Sequence, residues 1–239
     1  MSYLDEIGAW SKGEVVRRRE TRSLGGAFAP GRLGVIAEFK RASPSEGAIA
    51  PDADPVEVAV RYAEGGAAAL SILTCGKDFQ GSYGDLERVR AAVDLPILAK
   101  DFFVDTWQVI EARAHGADAI LVIMALVEDD LARDLLQQAE DLEMDVLVEV
   151  HDEGDLHRAL ELGAPIIGIN ARNLSTLAVD AAEQRRLIRA VPRGYVIVAE
   201  SGITSATEAT RAREAGASGV LVGTALMRDP ALLAELQRA

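Results

Sequence analysis

The chain has 239 residues, 49% of them hydrophobic, and its 38 acidic side chains outnumber 25 Lys and Arg, for a formal net charge of −13. That balance argues against a general binder of nucleic acid or anionic membranes, and no apolar run reaches the ~18 residues of a membrane span. A single cysteine, Cys75, excludes an intrachain disulfide, and the N-terminus MSYLDEIGAW lacks the apolar stretch of a secretion signal, so a cytoplasmic protein is expected.

Residues 1–33 read as an N-terminal extension. In it, YLDEIGAWSKGEVVRRRE (3–20) suits a short helix, and GGAFAPG (25–31) a flexible link. Eight short apolar runs follow: GVIAEF (34–39), AALSILT (68–74), PILAKDF (96–102), AILVIM (119–124), DVLVEV (145–150), PIIGIN (165–170), YVIVAES (195–201) and GVLVG (219–223). They are rich in Val, Ile and Leu and near-continuous rather than alternating, as in parallel strands buried on both faces. Segments of 3.6-residue spacing lie between them, among them 105–116, 152–163 and 206–216. The acidic stretch 128–145 reads as an amphipathic helix with a solvated face, and Asp52 and Asp54, just before Pro55, as turn and N-cap groups.

EGGAAALSIL (64–73), AHGADAILVI (114–123), ELGAPIIGIN (161–170) and EAGASGVLVG (214–223) share one plan: a helix stops at Gly and a strand begins. Repeated strand–helix units of this length predict a single (β/α)8 TIM barrel over 34–239, with the extension covering its N-terminal end or its mouth. An open doubly wound sheet is disfavoured because no GxGxxG follows the first run.

Barrel enzymes place their chemistry at the C-terminal ends of strands. Those ends carry Glu38 and Lys40, which share a face at i and i+2, then Lys100, Glu149, Asn170 with Arg172, Glu200 with Ser201, and Gly223 with Thr224. Any one of them alone could be a solvated rim charge. As a set they supply proton donors and acceptors around one cavity. The turns ESGI (200–203) and VGTALM (222–227) follow the last two strands and each leads into a helix, where backbone N–H groups can cradle phosphate, with Lys40, Arg41 or Arg172 adding positive charge. His115, His151 and His157 show no ligand spacing and are read as surface groups, and Cys75 as a bystander at the pocket edge.

The blocks IAEFKRASPSEG (36–47), DFQGSYGDL (78–86), 96–123, 147–174, VAESGI (198–203) and GVLVGTALM (219–227) resemble, in order and over nearly the whole chain from about residue 33, those of the indole-3-glycerol phosphate synthase family of tryptophan biosynthesis. The resemblance implies a carboxy-lyase that closes the ring of 1-(2-carboxyphenylamino)-1-deoxyribulose 5-phosphate, losing CO2 and water, with no metal and no organic cofactor. It implies Lys100 as the general acid at the ketone oxygen and Glu149 as the base of dehydration. Glu38 would orient Lys100 or share proton transfer. Lys40 would bind the anthranilate carboxylate or the phosphate, and Asn170 a substrate hydroxyl. Ser43, Phe79, Arg172, Glu200 and Ser201 would line the pocket, while Gly202, Gly223 and Thr224, with Lys40 and Arg41, would take the phosphate. The expected partner is this phosphosugar–anthranilate substrate, bound by a monomer or weak homo-oligomer that could associate with other enzymes of the pathway. A related phosphosugar isomerase or lyase, or a non-catalytic phosphate-ligand-binding subunit, is the alternative. Three departures from the family pattern stand out: a short region before the first strand, Cys75 where an acid is common, and Thr224 in place of Ser or Glu.

Overall fold

The eight apolar runs form the staves of a closed barrel. A computed structural model describes residues 21–29 and 31–239. Its strands are β1 (Gly34–Phe39), β2 (Ala69–Leu73), β3 (Ile97–Lys100), β4 (Ala119–Ile123), β5 (Asp145–Val150), β6 (Ile166–Asn170), β7 (Val196–Glu200) and β8 (Gly219–Val222). Each pairs in parallel with its neighbours in sequence, and β1 closes the ring by pairing with both β2 and β8. Seven helices follow β1 to β7 in turn: α1 (Pro55–Glu64), α2 (Tyr83–Ala92), α3 (Thr106–Ala114), α4 (Asp129–Asp141), α5 (Glu153–Glu161), α6 (Ala181–Ala190) and α7 (Ala206–Ala215). Two short helices, α8 (Thr224–Arg228) and α9 (Leu232–Leu236), follow β8.

Local chemistry sets the helix ends. Asp54 caps α1 by accepting from Val56 N at 2.8 Å with Pro55 in the first turn, and Asp105 forms a capping box with Gln108 on α3. Gly66, Gly116, Gly163 and Gly216, the glycines of the repeat, have φ of 83°, 97°, 72° and 122°, which a residue with a Cβ reaches only under strain.

Because side chains alternate along a strand, the barrel has two cores. Val35, Ala37 and Phe39 pack outward with the helices, while Ile36 joins Leu98, Leu121, Leu147, Val198 and Leu221 inside. Glu38 is in phase with Ile36, so it too faces inward, at the top of the ring. Between β1 and α1, Ala42–Ser43 and Gly47–Ala48 pair as a small antiparallel hairpin.

The segment before β1 differs from its expected role. The expected helix at 3–20 lies outside the described residues, but of the expected link at 25–31 the described residues 25–29 are tied to the barrel. Gly25–Ala27 form a 3-10 turn, and the Ser23 hydroxyl and Gly25 N–H both donate to Asp145 Oδ2 at 3.0 Å. Leu24 is fully buried in the inner core. The Phe28 ring lies so close over Gly34 and Gly219 that a Cβ on either would collide with it. The segment therefore plugs the N-terminal end of the barrel, opposite the end where Glu38 sits. Leu24→Ala should lower unfolding free energy by about 3 kcal/mol, the usual cost of an emptied buried Leu site, with kcat unchanged. Urea titration and an activity assay on the same sample check this.

Candidate active site

The C-terminal ends of the strands open into a cavity of about 1080 Å³. Every residue expected at the site lines it except Arg41. On one arc, Phe79, Phe102, Leu121 and Ile123 make an apolar wall, with the rings of Phe79 and Phe102 6.2 Å apart. Cys75 also reaches the wall, and burial, more than the nearby Asp101, pushes its thiol pKa up. On the opposite arc are the turns after β7 and β8. There Ser201 and Gly202 take consecutive left-handed φ of 62° and 74°, a conformation that strains the serine.

Two charged groups share the floor. Glu38 Oε1 lies 2.9 Å from Lys40 Nζ, and its Oε2 accepts from the Ser71 hydroxyl at 3.2 Å. Lys100 Nζ lies 3.2 Å from Glu149 Oε2 and 3.5 Å from Glu200 Oε2. Asn170 Nδ2 donates to Glu149 Oε1 at 3.0 Å, while its Oδ1 accepts from Arg172 N at 2.9 Å. Glu38 therefore orients Lys40, and the expectation that it orients Lys100 is corrected: Glu149 and Glu200 do that.

The electrostatics separate the groups. Burial opposes the Lys100 charge, yet Glu149, Glu200 and Glu38 outweigh it and hold its pKa above the ordinary lysine value. Burial also opposes the Glu149 charge, but Lys100, His151 and Asn170 hold that carboxyl well below its ordinary range. Glu200 goes the other way: burial, then repulsion from Glu149, pushes it up to about 8 against the pull of Lys100. Lys100 and Glu149 are thus held toward their charged forms and Glu200 toward its neutral one, the direction of split that separates acid from base in an active site.

Arg41 is spent elsewhere. Its guanidinium makes a two-pronged bond to Asp85 at 2.5 and 3.0 Å, donates to Gln80 O and lies over the Phe39 ring, 5.0 Å from the centroid. It ties β1 to α2 and is not in place to meet a phosphate. Among the described residues no group of three or more His, Cys, Asp or Glu is arranged to hold a metal ion, and no helix is long and apolar enough to cross a membrane.

Comparison with known proteins places this geometry. The family model described as indole-3-glycerol phosphate synthase matches residues 11–238. The indole-3-glycerol phosphate synthase of Beutenbergia cavernae is 46% identical over 94% of this chain and 79% of its own length. That of a Nocardioides species is 46% identical over 96% and 94%. The chain belongs to the indole-3-glycerol phosphate synthase family. A solved structure, the thiamine phosphate pyrophosphorylase from Pyrococcus furiosus, superposes with a TM-score of 0.64 at 17% identity, covering 90% of this chain and 96% of that one, a likeness of fold.

Against the family's motif residues, the structure adds groups that sequence reasoning did not single out. Ser71 supports Glu38 from β2. Gly168 on β6 leaves room for Glu200, whose Oε1 a Cβ at that position would strike. His151, read as a surface group, is half-buried beside Glu149, its Nε2 3.2 Å from Oε1 and its Nδ1 3.7 Å from Asp155 Oδ2. His115 stacks on Tyr83 and His157 is exposed beside Glu161, both away from the cavity.

Proposed function

We propose that the barrel mouth converts 1-(2-carboxyphenylamino)-1-deoxyribulose 5-phosphate to indole-3-glycerol phosphate, with CO2 and water as the other products. The observation that supports it most is Lys100 within 3.5 Å of two buried carboxyl groups, Glu149 and Glu200, at the floor of a cavity with an apolar wall on one side. The Lys100 ammonium donates to the ketone oxygen and polarises the carbonyl. The ring carbon bearing the carboxylate attacks that carbon, the new C–C bond forms, and CO2 leaves with restoration of the enamine. The hydroxyl then leaves as water with a second proton, from Lys100 once reprotonated or from the neighbouring Glu200, while Glu149 takes the proton released by the adjacent ring carbon as the indole becomes aromatic. Positioned proton-transfer groups of this kind typically contribute 10²–10⁴-fold each.

The phenyl ring packs against Phe79, Phe102 and the aliphatic wall. The phosphate lies at Gly202, Gly223 and Thr224, where short turns enter helices at the end of the barrel favoured for phosphate. Ser43 and Ser201 supply hydroxyls at the rim, Asn170 holds a substrate hydroxyl, and Arg172, anchored by donation to Leu177 O, closes the side of the pocket. A Cβ on Gly223 would collide with Glu38 Oε1 and come within 3.0 Å of Lys40 Nζ. That proximity favours the phosphate over the anthranilate carboxylate as the partner of Lys40.

The test is a turnover assay on purified protein that follows indole fluorescence developing from the anilino-deoxyribulose phosphate. Lys40→Ala should raise KM by more than about tenfold, the equivalent of one charge-assisted contact, with a smaller effect on kcat. Absence of indole product from the native chain would reject the assignment.

A further inference from the structure

Two buried carboxylates compete for one ammonium in this site. Glu149 is 1% exposed and Glu200 2%, and Lys100 lies within 3.5 Å of both. The second ammonium, Lys40, offers no relief, because it is committed to Glu38 at 2.9 Å. Two like charges this close cannot both persist with one partner, so something must decide which is ionised. Lys100 alone decides weakly, since its two contacts differ by only 0.3 Å, from 3.2 to 3.5 Å.

The two environments differ in two side chains, of which only one can carry charge. Beyond Lys100, Glu149 has the Asn170 amide and the imidazole of His151 at 3.2 Å. Among the described residues, neither oxygen of Glu200 has a well-aligned hydrogen bond, and neither nitrogen of His151 does, so His151 acts on Glu149 through charge at 3.2 Å and not through an aligned hydrogen bond. His151 in turn sits between Glu149 and Asp155, whose Oδ2 also accepts from His151 N at 3.2 Å and whose Oδ1 lies 3.6 Å from Arg158 Nη1. The groups around the pair are therefore Lys100 on β3, Asn170 on β6, Glu200 on β7, Glu38 with Lys40 from β1, and Asp155 with Arg158 on α5.

We infer that His151 is a positioning residue that settles this competition: its imidazolium assigns the negative charge to Glu149 and leaves the proton on Glu200. This rests on the reading of Glu149 as the base. Burial opposes the imidazolium, but Asp155 and Glu149 outweigh it and raise its pKa to about 9, so the charge is present throughout the neutral range. Without that cation the proton redistributes toward Glu149 and the base is lost at pH values where the native enzyme keeps it.

The experiment compares kcat–pH profiles of the native chain, His151→Gln and the double variant His151→Gln/Glu200→Gln. In His151→Gln the acid limb, which reports ionisation of the base in the bound complex, should move up by about one pH unit or more. Turnover on the acid side of that limb should fall about tenfold, with KM changed less than about twofold. Removing the competitor in the double variant should bring the acid limb back down, whatever the absolute rate. A uniform loss at every pH, with the limb in place, would mean that His151 is only structural and would overturn the inference. Glu149→Gln separates the two readings: if it stays active, the base assignment fails and this one with it, and if it is inactive while the His151→Gln limb stays put, only the role of His151 fails. A measurement that does not depend on folding of the variants is the imidazole titration of the native chain by NMR. With three histidines, His115→Gln and His157→Gln assign the signals. A His151 signal titrating near the ordinary ~6.5 would also overturn the inference.

Discussion

Lys100→Ala is expected to lower kcat by between about 10² and 10⁴ while leaving the folded state in place. The ammonium is the group in contact with both Glu149 and Glu200, and it is held charged by them. Its removal takes away the donor at the ketone oxygen. It also relieves Glu149 of the charge that does most to keep it ionised, so the base weakens along with the acid. Both effects push turnover the same way, which is why this substitution should be the most damaging to activity. The fold should survive because the carboxylates left behind can take protons at the open end of the barrel, as Glu200, with its pKa near 8, already tends to do. Lys100→Arg separates the two roles. It keeps a cation but hardly ever gives up a proton, so it should recover electrostatic polarisation without proton donation and remain well below the native rate. Steady-state kinetics with a thermal melt on each variant decide the matter, and near-native turnover in Lys100→Ala would remove this lysine from the mechanism.

The barrel was legible because parallel strands buried on both faces leave near-continuous runs of Val, Ile and Leu, and because each helix stops at a glycine that the turn requires. β1 and β5 begin and end where their apolar runs do. The residues at the mouth were legible from strand ends, but their pairing was not. Which carboxylates reach Lys100 depends on the tilt and register of strands distant in sequence, and no local pattern encodes that. Two other differences could have been anticipated. Arg41 is one residue from Lys40, so alternation turns it away from the face Lys40 occupies and toward Asp85. His151 is two residues from Glu149, the same spacing that placed Glu38 and Lys40 together, and it meets Glu149 for the same reason. The plug formed by Leu24 and Phe28 was hidden because glycine and proline around them resemble a linker, while the contacts that order the segment come from Asp145 and from the glycines of β1 and β8.

Asp118→Ala should destabilise the chain by about 4 kcal/mol, more than any other single truncation considered, yet leave kcat intact. Asp118 is 1% exposed, at the start of β4 and at the end of the barrel away from the cavity. Its Oδ2 accepts from Arg90 Nη1 at 2.8 Å and from Ile97 N at 2.9 Å, and its Oδ1 from Arg22 N at 2.9 Å. It therefore joins the N-terminal segment, α2 and β3 at one point. Burial raises the pKa of Asp118 and lowers that of Arg90 in spite of their pairing, so the pair itself adds little net stability. Breaking it is another matter. The alanine variant leaves the Arg90 charge with the carbonyls of Val93 and Leu95 and the charge of Asp94 in place of its buried partner, strands the Ile97 N–H, and takes an acceptor from the Arg22 amide. For a domain of this size the loss corresponds to a fall in Tm of roughly 10 °C. Asp118→Asn, which keeps an acceptor for Ile97 N but not the charge, should fall between the two. Calorimetry with kinetics at 25 °C reads both quantities. A drop in kcat matching the drop in stability would show that the base and the mouth of the barrel are coupled, whereas the geometry places folding contacts at one end of the strands and proton transfer at the other.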